Sequence, residues 1–468
     1  MPRFTLAALA TGCLAAPALA QLPQHCDGQR MLAPATPAPR AFGVRVATNG
    51  THWIIADSAA STACPDGCTS GMVHSYEMVD GRLVLRQSLV PADIGFQDRF
   101  GVRVEIDGNR MLVAAAFTIW PGLSTRGGAF IYEHDGEEWV EVGRLRPPEG
   151  EVDPAALSVF PLRAGLHGDL AILDAADGVM AYRRDPASGE WAFDQWVRIP
   201  DGTSDRAIFG SAVEIYEDWV FIGAIRDDSP GSPQGGSVFV YRDGPTGLEL
   251  VQKLVPPTGS IDASFGYAMD FDGETLAIGA HSFDRVEQAQ GAVFAYKLVG
   301  DEWVLRQEIL HPNPRRIHRL GMRVEVEGDV LLANYEQNPP YESDFVAVFR
   351  RHADGVWRFG GRLYPKTPLF ATGFGLALAL HDGYALVGAE AEKPPRQPTI
   401  GGAAYFFDLA CATCPADFNT DFAVDFFDAL AFFNAFEAGD LRADLDLDGA
   451  LTALDFLAFE AALRAGCG

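Results

Sequence analysis

The chain alternates short apolar runs with polar turns over most of its length. Residues 265–312 contain four such runs, at 267–271, 275–279, 293–296 and 303–309. Three of them alternate apolar and polar positions almost every second residue, and the second is a compact run typical of a buried strand. A DG turn separates the first two runs, a GDE turn separates the last two, and a longer polar loop lies between the pairs. The pattern predicts a four-stranded antiparallel meander.

The same unit recurs along the chain. An FG phrase stands at residues 42, 100, 209, 265 and 374, and weaker versions stand at 160 and 320. Each is followed by a tight turn, a small-residue run such as FIGA or AIGA, a third strand such as GGAFIYE, and a closing phrase of L-x-P type. One four-stranded sheet cannot cover its own apolar faces, so seven units in phase predict an all-β, seven-bladed β-propeller over residues 21–410.

These phrases resemble the FG-GAP repeats of the integrin α-subunit propeller. The resemblance spans roughly residues 29–410 and is strongest in the fourth, fifth and seventh repeats. Some loops of that family carry a D-x-D-x-D-G calcium site, but residues 40–400 contain no such motif. This departure from the family argues against calcium in the propeller.

The two ends of the propeller are expected to meet. Residues 29–34 match the closing phrase of a repeat, whereas the seventh repeat lacks a fourth strand. The N-terminal strand should therefore complete blade seven and leave no open sheet edge. In that geometry Cys26 and Cys411 lie at the same end of adjacent strands, which predicts a disulfide between them. Cys64 and Cys68 flank a turn and are also expected to pair, although metal binding with His74 and redox activity remain open.

Composition and the N-terminus indicate export. Residues 1–20 contain Arg3, an apolar run and Ala18-Leu19-Ala20, a pattern typical of a secretory signal peptide. The run is too short to span a membrane, and no later hydrophobic run approaches 18 residues. The formal net charge of −27 argues against nucleic acid as a partner. Six cysteines remain after cleavage, an even number that suits an oxidising compartment.

Residues 411–468 differ from the propeller in composition and predict a small α-helical calcium-binding module. Two twelve-residue loops place oxygen ligands at positions 1, 3, 5, 9 and 12, the spacing of an EF-hand calcium loop. The first set comprises Asp417, Asn419, Asp421, Asp425 and Asp428, and the second comprises Asp444, Asp446, Asp448, Thr452 and Asp455. An apolar helical run follows each loop. Phe422 occupies position 6 of the first loop, where glycine normally turns, so the second loop, with Gly449, is the stronger site.

This duplicated loop and helix resembles a dockerin. It is similar to the short C-terminal dockerin-like domains of planctomycete secreted proteins, which run from C-P-A-D to a terminal G-C, here from Cys414 to Cys467. The resemblance implies a calcium-stabilised EF-hand-type pair closed by a Cys414–Cys467 disulfide. It also implies attachment to an anchoring partner of cohesin type or to the cell surface.

Long connections between the second and third strands of each repeat, together with the linkers between repeats, should emerge on one face, where ligands usually bind. The sequence offers one basic cluster there, Arg315, Arg316, His318 and Arg319, which fits an acidic glycan or the carboxylates of a protein partner. Pairing of this cluster with acidic loops such as Glu390 and Glu392 is the alternative. The ten histidines are scattered, and no H-E-x-x-H or G-x-S-x-G motif is present.

The sequence as a whole favours a secreted, non-enzymatic binding protein, extracellular or at the cell surface. The propeller would display a ligand-binding face, and the C-terminal module would anchor it. Two alternatives remain. The first is a polysaccharide-degrading enzyme tethered by the same tail, with carboxylates converging at the axis. The second is a structural surface-layer protein.

Overall fold

The structure is a computed structural model, and it describes most of the propeller and the two C-terminal helices. The described residues are 29–34, 41–60, 70–95, 97–119, 126–148, 161–175, 178–200, 202–204, 206–229, 231–257, 261–312, 314, 316–335, 345–365, 373–392, 401–409, 416, 418, 426–439, 443, 445 and 451–465. The expected signal peptide and all seven cysteines, with the three predicted disulfides, lie outside them.

Twenty-eight strands and two helices are described in these ranges. Strand β1 is Gln29–Met31. Blade one contains β2 (Phe42–Thr48), β3 (His52–Asp57), β4 (Met72–Val79) and β5 (Arg82–Leu89). Blade two contains β6 (Phe100–Asp107), β7 (Arg110–Ile119), β8 (Arg126–His134) and β9 (Trp139–Leu145). Blade three contains β10 (Ala164–His167), β11 (Leu170–Ala175), β12 (Gly178–Arg184) and β13 (Trp191–Arg198).

The remaining blades follow the same order. Blade four contains β14 (Ile208–Tyr216), β15 (Trp219–Ile225), β16 (Ser237–Gly244) and β17 (Gly247–Leu254). Blade five contains β18 (Ala268–Phe271), β19 (Leu276–Ala280), β20 (Ala292–Val299) and β21 (Glu302–Ile309). Blade six contains β22 (Val324–Glu327), β23 (Val330–Tyr335), β24 (Phe345–Arg351) and β25 (Trp357–Leu363). Blade seven contains β26 (Phe374–His381), β27 (Tyr384–Ala389) and β28 (Ala403–Asp408).

The seven-bladed propeller predicted from the sequence is confirmed. Each blade is a four-stranded antiparallel sheet, and its first strand lies beside the first strands of both neighbouring blades. The large apolar side chains pack between blades, so seven hydrophobic clusters form the core, one at each junction. A blade that buries both faces against its neighbours explains why the second strands read as almost continuous apolar runs.

The FG phrase joins neighbouring blades through the backbone. Phe100 forms a parallel bridge with Gly71, at the start of the preceding blade's third strand, and its N–H donates to the Ser70 carbonyl at 2.9 Å. Equivalent bridges join the fourth to the fifth, the fifth to the sixth and the seventh to the first blade. Gly71 has a φ of 91°, and a Cβ there would lie 2.1 Å from the Phe100 carbonyl oxygen. Glycine is therefore required by both backbone conformation and space.

The N-terminal strand closes the ring as predicted. Strand β1 pairs antiparallel with β28, with Arg30 opposite Tyr405, and so becomes the fourth strand of blade seven. At the junction of blades seven and one, the Gln29 side chain accepts from Leu83 N–H at 2.9 Å and donates to the Leu83 carbonyl at 3.2 Å. We call this two-bond contact between the outer strands of adjacent blades a glutamine clasp. Clasps also join Gln87 to Trp139, Gln252 to Trp303 and Gln307 to Trp357.

A buried ion pair reinforces this closure. The Arg30 guanidinium donates to Glu392 Oε1 from Nε at 2.8 Å and from Nη2 at 2.5 Å. The hydroxyl of Tyr405 donates to Glu392 Oε2 at 2.7 Å. The Glu392 side chain is 1% exposed, so these donors replace the water that the carboxylate lost on folding.

We predict that Arg30→Ala lowers the free energy of unfolding of the full chain by about 2–4 kcal/mol, because it removes two hydrogen bonds to the buried Glu392 carboxylate and leaves that carboxylate without a counter-charge. The control is Arg285→Ala, whose side chain is 57% exposed and lies 3.3 Å from Glu308. A surface pair of this kind contributes at most about 1 kcal/mol. Urea unfolding at neutral pH measures the free energy of unfolding of both variants. An equal loss in the two variants would contradict a ring closure that depends on Arg30.

Candidate functional site: a layered axial channel

The first strands of the seven blades surround a channel along the propeller axis. Its cavity measures about 520 Å³ and is lined by residues of these strands and of the turns that follow them. In blades one, two, five and six the chain enters the first strand beside the glycine that ends a long loop, as Phe100 does beside Gly71, and then runs toward a tight turn. Residues at the same repeat phase therefore lie at the same level of the channel. We call the end of the channel next to the long loops the long-loop end.

Four arginines share the level nearest the long-loop end. Each stands three residues after the first residue of the FG phrase or of its weaker version. The four residues, in blades one, two, three and six, are Arg45, Arg103, Arg163 and Arg323. Backbone carbonyls hold three of the guanidinium groups in place. Arg45 donates to the Val44 carbonyl at 2.6 Å, Arg163 to the Ser211 carbonyl at 2.8 Å, and Arg323 to the Leu376 carbonyl at 2.9 Å. The fourth, Arg103, donates to Glu105. We call this set the arginine layer.

The arginines are close enough to repel one another. Burial, together with the charges of Arg323, Arg103 and Arg163, lowers the pKa of Arg45 to about 9. Burial also lowers the pKa of Arg323, with contributions from Arg163 and Arg103. The Nε of Arg45 is buried and has no hydrogen-bond acceptor among the described residues. A layer of mutually repelling guanidinium groups with spare donors is suited to binding an anion.

Carboxylates occupy the next level of the channel. Glu105, Glu214, Asp270 and Glu325 stand two residues further along their strands. Burial raises the pKa of Asp270 to about 7, although the Val326 N–H donates to its carboxylate. Burial also raises the pKa of Glu214 and of Glu325 well above the usual range, and the charge of Asp270 adds to each shift. We call this set the carboxylate layer; burial favours the protonated form of its members.

The level at the tight-turn end has a structural role. The Asp107 carboxylate accepts from Gly168 N–H at 2.7 Å, Asp272 accepts from Gly328 N–H at 2.9 Å, and Glu327 accepts from Asp382 N–H at 2.6 Å. Each bond joins one blade to the tight turn of the next. These acidic residues therefore hold adjacent blades in register around the channel.

The described residues of the basic cluster singled out in the sequence lie in different environments. The His318 side chain is 7% exposed and contacts the Tyr335 hydroxyl, so it belongs to the core of blade six. Arg316 is exposed and donates to Gln288 at 3.0 Å, whereas Arg319 is half-buried. Arg315 lies outside the described residues. Ligand binding by this cluster stays a prediction, while the arginine layer was missed because its members lie in four different repeats.

The C-terminal calcium residues are described only in part. Asp428, Thr452 and Asp455 are described, and the other seven predicted ligands lie outside the described residues. Helix α1 is Phe426–Glu437 and helix α2 is Ala453–Ala465. Asp428 and Asp455 are the third residues of these helices, and both are fully buried. The rings of Phe432 and Phe459, the seventh residues, stack at 4.2 Å, which shows that the sequence duplication is also a structural one.

Asp455 caps the helix that follows the second loop. Its Oδ2 accepts from the Thr452 N–H at 2.8 Å, and its Oδ1 accepts from the Leu445 N–H at 2.7 Å. The Thr452 hydroxyl oxygen accepts from the Leu454 N–H at 3.1 Å, which completes a capping box. The carboxylate is therefore fixed at the base of the second loop whether or not it also binds a cation.

Comparison with known proteins supports the propeller. A protein-family model described as FG-GAP repeat matches residues 199–241 and 249–296, which lie in blades four and five. The sequence resemblance to FG-GAP repeats is confirmed for these segments. A search of curated proteins found no match to the chain. No helix among the described residues is both long and apolar enough to span a membrane.

Several solved structures are similar to this chain at low sequence identity. A structure described as that of U3-55K is 10% identical with a TM-score of 0.50 and covers 82% of this chain and 99% of its own. A periplasmic gluconolactonase, PpgL, from Pseudomonas aeruginosa is 14% identical with a TM-score of 0.47 and covers 72% of this chain and 92% of its own. A putative 6-phosphogluconolactonase from Bacteroides fragilis is 11% identical with a TM-score of 0.47 and covers 76% and 88%. These likenesses concern the fold alone.

We predict that the protons held in the carboxylate layer make the propeller less stable as pH rises. Asp270 has a folded pKa of about 7 and an ordinary value of 3.8, so the folded state binds more protons between these values. The contribution of Asp270 to the free energy of unfolding therefore falls as pH rises from about 4 to about 7. Asp270→Asn removes the titration, so its stability relative to the parent chain should increase across this range and level off above it.

Thermal unfolding of both proteins at intervals of pH measures the effect. The control is Asp354→Asn, because hydrogen bonds from Arg358 lower the pKa of the exposed Asp354 carboxyl to about 2. Its difference from the parent chain should be constant between pH 4 and 7. A constant difference for Asp270→Asn as well would show that the channel carboxyl is ionised throughout.

Proposed function

We propose that this chain is a secreted binding protein that captures a carboxylate-bearing ligand at the arginine layer. We further propose that a calcium-binding, dockerin-like C-terminal module attaches the propeller to an extracellular or cell-surface partner. A propeller with FG-GAP repeats is an interaction module, and this coarser function follows from the fold and the matched repeats. The observation that supports the ligand class is the arginine layer itself, at the long-loop end of the channel in a chain of net charge −27.

The geometry favours a small acidic group over a flat protein surface. The cavity of about 520 Å³ is recessed along the axis, so a ligand must insert a projecting group to reach the arginines. A carboxylated sugar unit or an acidic side chain has the required shape and charge. Carbonyl contacts to Arg45, Arg163 and Arg323 hold their guanidinium groups before the ligand arrives, which lowers the entropy cost of binding.

Exposed apolar side chains on both C-terminal helices support the anchoring role. Phe426 is 72% exposed, Phe427 61% and Leu457 56%. A module this small would gain stability by burying them, so their exposure favours a partner that covers them. The described residues include the duplicated helices and the cap that Asp455 forms on α2, and both fit the dockerin-like resemblance. Calcium binding, the anchoring partner and secretion remain proposals.

An enzymatic role is the second candidate, and the carboxylate layer favours it. A general acid must retain its proton near neutral pH, and burial shifts the pKa values of Glu214, Asp270 and Glu325 in that direction. A polysaccharide-degrading enzyme would use such a group beside the bound sugar. The carboxylate layer lies below the arginine layer rather than at the long-loop mouth, so a substrate would have to pass the arginines first.

We predict that the full chain binds oligogalacturonate at low ionic strength and that the double variant Arg45→Gln, Arg323→Gln weakens this binding at least roughly tenfold, because two charge-assisted contacts are lost. Isothermal titration calorimetry measures the affinity. The matched comparison is the triple variant Arg315→Gln, Arg316→Gln, Arg319→Gln, which tests the cluster predicted from the sequence. Loss in the triple variant alone would move the ligand site to that cluster.

The same titration separates the other candidates. Binding of an acidic peptide but not of oligogalacturonate would assign the site to a protein partner. If the parent chain shortens the oligosaccharide and the Glu214→Gln variant does not, the result would favour the enzyme. No binding of either probe would contradict the proposed ligand class.

We predict that the chelator-stripped full chain binds calcium and that Asp448→Ala removes the tighter site, because this residue supplies an oxygen at position 5 of the second loop. Asp448 is a cleaner choice than Asp455, whose carboxylate also caps α2. Asp421→Ala, the same position of the first loop, should remove only the weaker site. Calorimetric calcium titration measures both, and undiminished binding in the combined variant would place calcium elsewhere in the chain.

A further inference from the structure

Two histidines and a glutamate converge at the junction of blades one and two. His52 begins β3, Glu77 lies opposite it on β4, and His134 ends β8 of the next blade. One ligand atom from each side chain lies within 4.8 Å of the others. We propose that His52, Glu77 and His134 bind a divalent transition-metal ion of zinc type that joins blades one and two.

A buried nitrogen without a partner points to the missing ligand. The His52 side chain is only 7% exposed, and its Nδ1 has no hydrogen-bond partner among the described residues. That nitrogen faces Glu77, with 3.8 Å between Nδ1 and Oε1. Buried polar atoms in folded proteins nearly always have a partner, and a metal ion between the two side chains would satisfy both.

The donor set suits a metal ion of zinc type, because zinc accepts two imidazoles and a carboxylate as ligands in proteins. The two imidazole rings already lie close together, with centroids 4.3 Å apart.

Neighbouring side chains orient the three groups. Arg86 Nε donates to Glu77 Oε2 at 2.8 Å and leaves Oε1 directed at His52. The Trp139 ring packs edge-on against both imidazoles, with centroids 5.1 Å from each. The Gly136 N–H donates to His134 Nδ1 at 3.2 Å. A neutral imidazole has one lone pair, so this long contact is given up when His134 binds the metal.

The equivalent positions of the next junction show what the histidines replace. Between blades two and three the corresponding residues are Arg110, Glu133 and Arg184. Arg110 Nε lies 2.8 Å from Glu133 Oε1, and Arg184 Nε lies 3.5 Å from it. Two permanent cations therefore contact that carboxylate across the junction, and both also pair with Asp169, at 2.9 Å and 3.6 Å. At the first junction imidazoles stand in place of both guanidinium groups, while Arg86 already pairs with Glu77. A metal ion there would supply a link between the two blades at the same place.

Metal binding requires a modest movement of side chains. Tetrahedral zinc with bonds of about 2.0–2.1 Å places its ligand atoms about 3.4 Å apart. Glu77 and His134 are partly exposed and can approach the buried His52 by rotation, and water completes the coordination shell. The ion would then link strands of two blades near the tight-turn end and act as a staple between them.

The test is a cobalt titration of the full chain, stripped of metal and then kept in excess calcium so that the acidic C-terminal loops are occupied. Tetrahedral cobalt has visible absorption bands that octahedral cobalt lacks, and zinc should displace it. We expect one cobalt per chain, at least roughly tenfold weaker binding in His134→Gln and in Glu77→Gln, and a smaller loss in Arg86→Leu, which only orients Glu77.

Two histidines that lie near a single carboxylate serve as controls. His381 Nδ1 is 3.0 Å from Glu327 and His167 Nδ1 is 3.6 Å from Asp107, and neither belongs to a three-ligand group among the described residues. Substituting Gln at 381 or 167 should leave cobalt binding unchanged. Zinc should also raise the melting temperature of the parent chain but not that of His134→Gln.

Two outcomes would overturn the proposal. One is the absence of tetrahedral bands in the parent chain. The other is equal cobalt affinity in His134→Gln and His381→Gln, which would mean that surface groups alone bind the ion. If His134→Gln does not fold, Glu77→Gln provides the same comparison, since Glu77 is partly exposed and its replacement keeps the side-chain volume.

Discussion

Ring closure is the constraint on which the propeller depends. Strand β1 is only three residues long, yet it supplies the fourth strand of blade seven and covers the edge of β28. The same short segment carries Gln29, whose clasp repeats contacts found at three other junctions, and Arg30, which neutralises the buried Glu392. Without this segment blade seven would present an open edge and an uncompensated charge. The channel at the axis exists because the ring is closed.

The fold was largely predictable because its signal is repeated. Seven FG phrases, each with a turn and a small-residue run, indicate the same blade even where the third and sixth repeats are weak. The unpaired closing phrase at 29–34 predicted the shared seventh blade, and the register of β1 with β28 confirms it. Apolar periodicity is robust to single substitutions, since each strand presents several side chains to the core.

The candidate site was not predictable in the same way, because it consists of single polar residues from different repeats. Arg45 and Arg323 are far apart in sequence and become neighbours only when the ring closes. A careful alignment of the repeats could have shown arginine at one phase and acidic residues two positions later. The glutamine clasps were missed for a different reason, since a polar residue in an outer strand such as Gln307 reads as an ordinary solvent-facing position.

The two charged layers of the channel do not cancel each other. If the arginines fully neutralised the acidic groups below them, the pKa values of those carboxyls would fall, whereas burial raises those of Glu214, Asp270 and Glu325. Burial therefore favours the protonated form of these carboxyls. Among the described residues Arg103 takes its partner, Glu105, from that layer, whereas Arg45, Arg163 and Arg323 are held by carbonyl groups that carry no net charge. Positive charge is thus concentrated at the long-loop end, and an acidic ligand there would neutralise it.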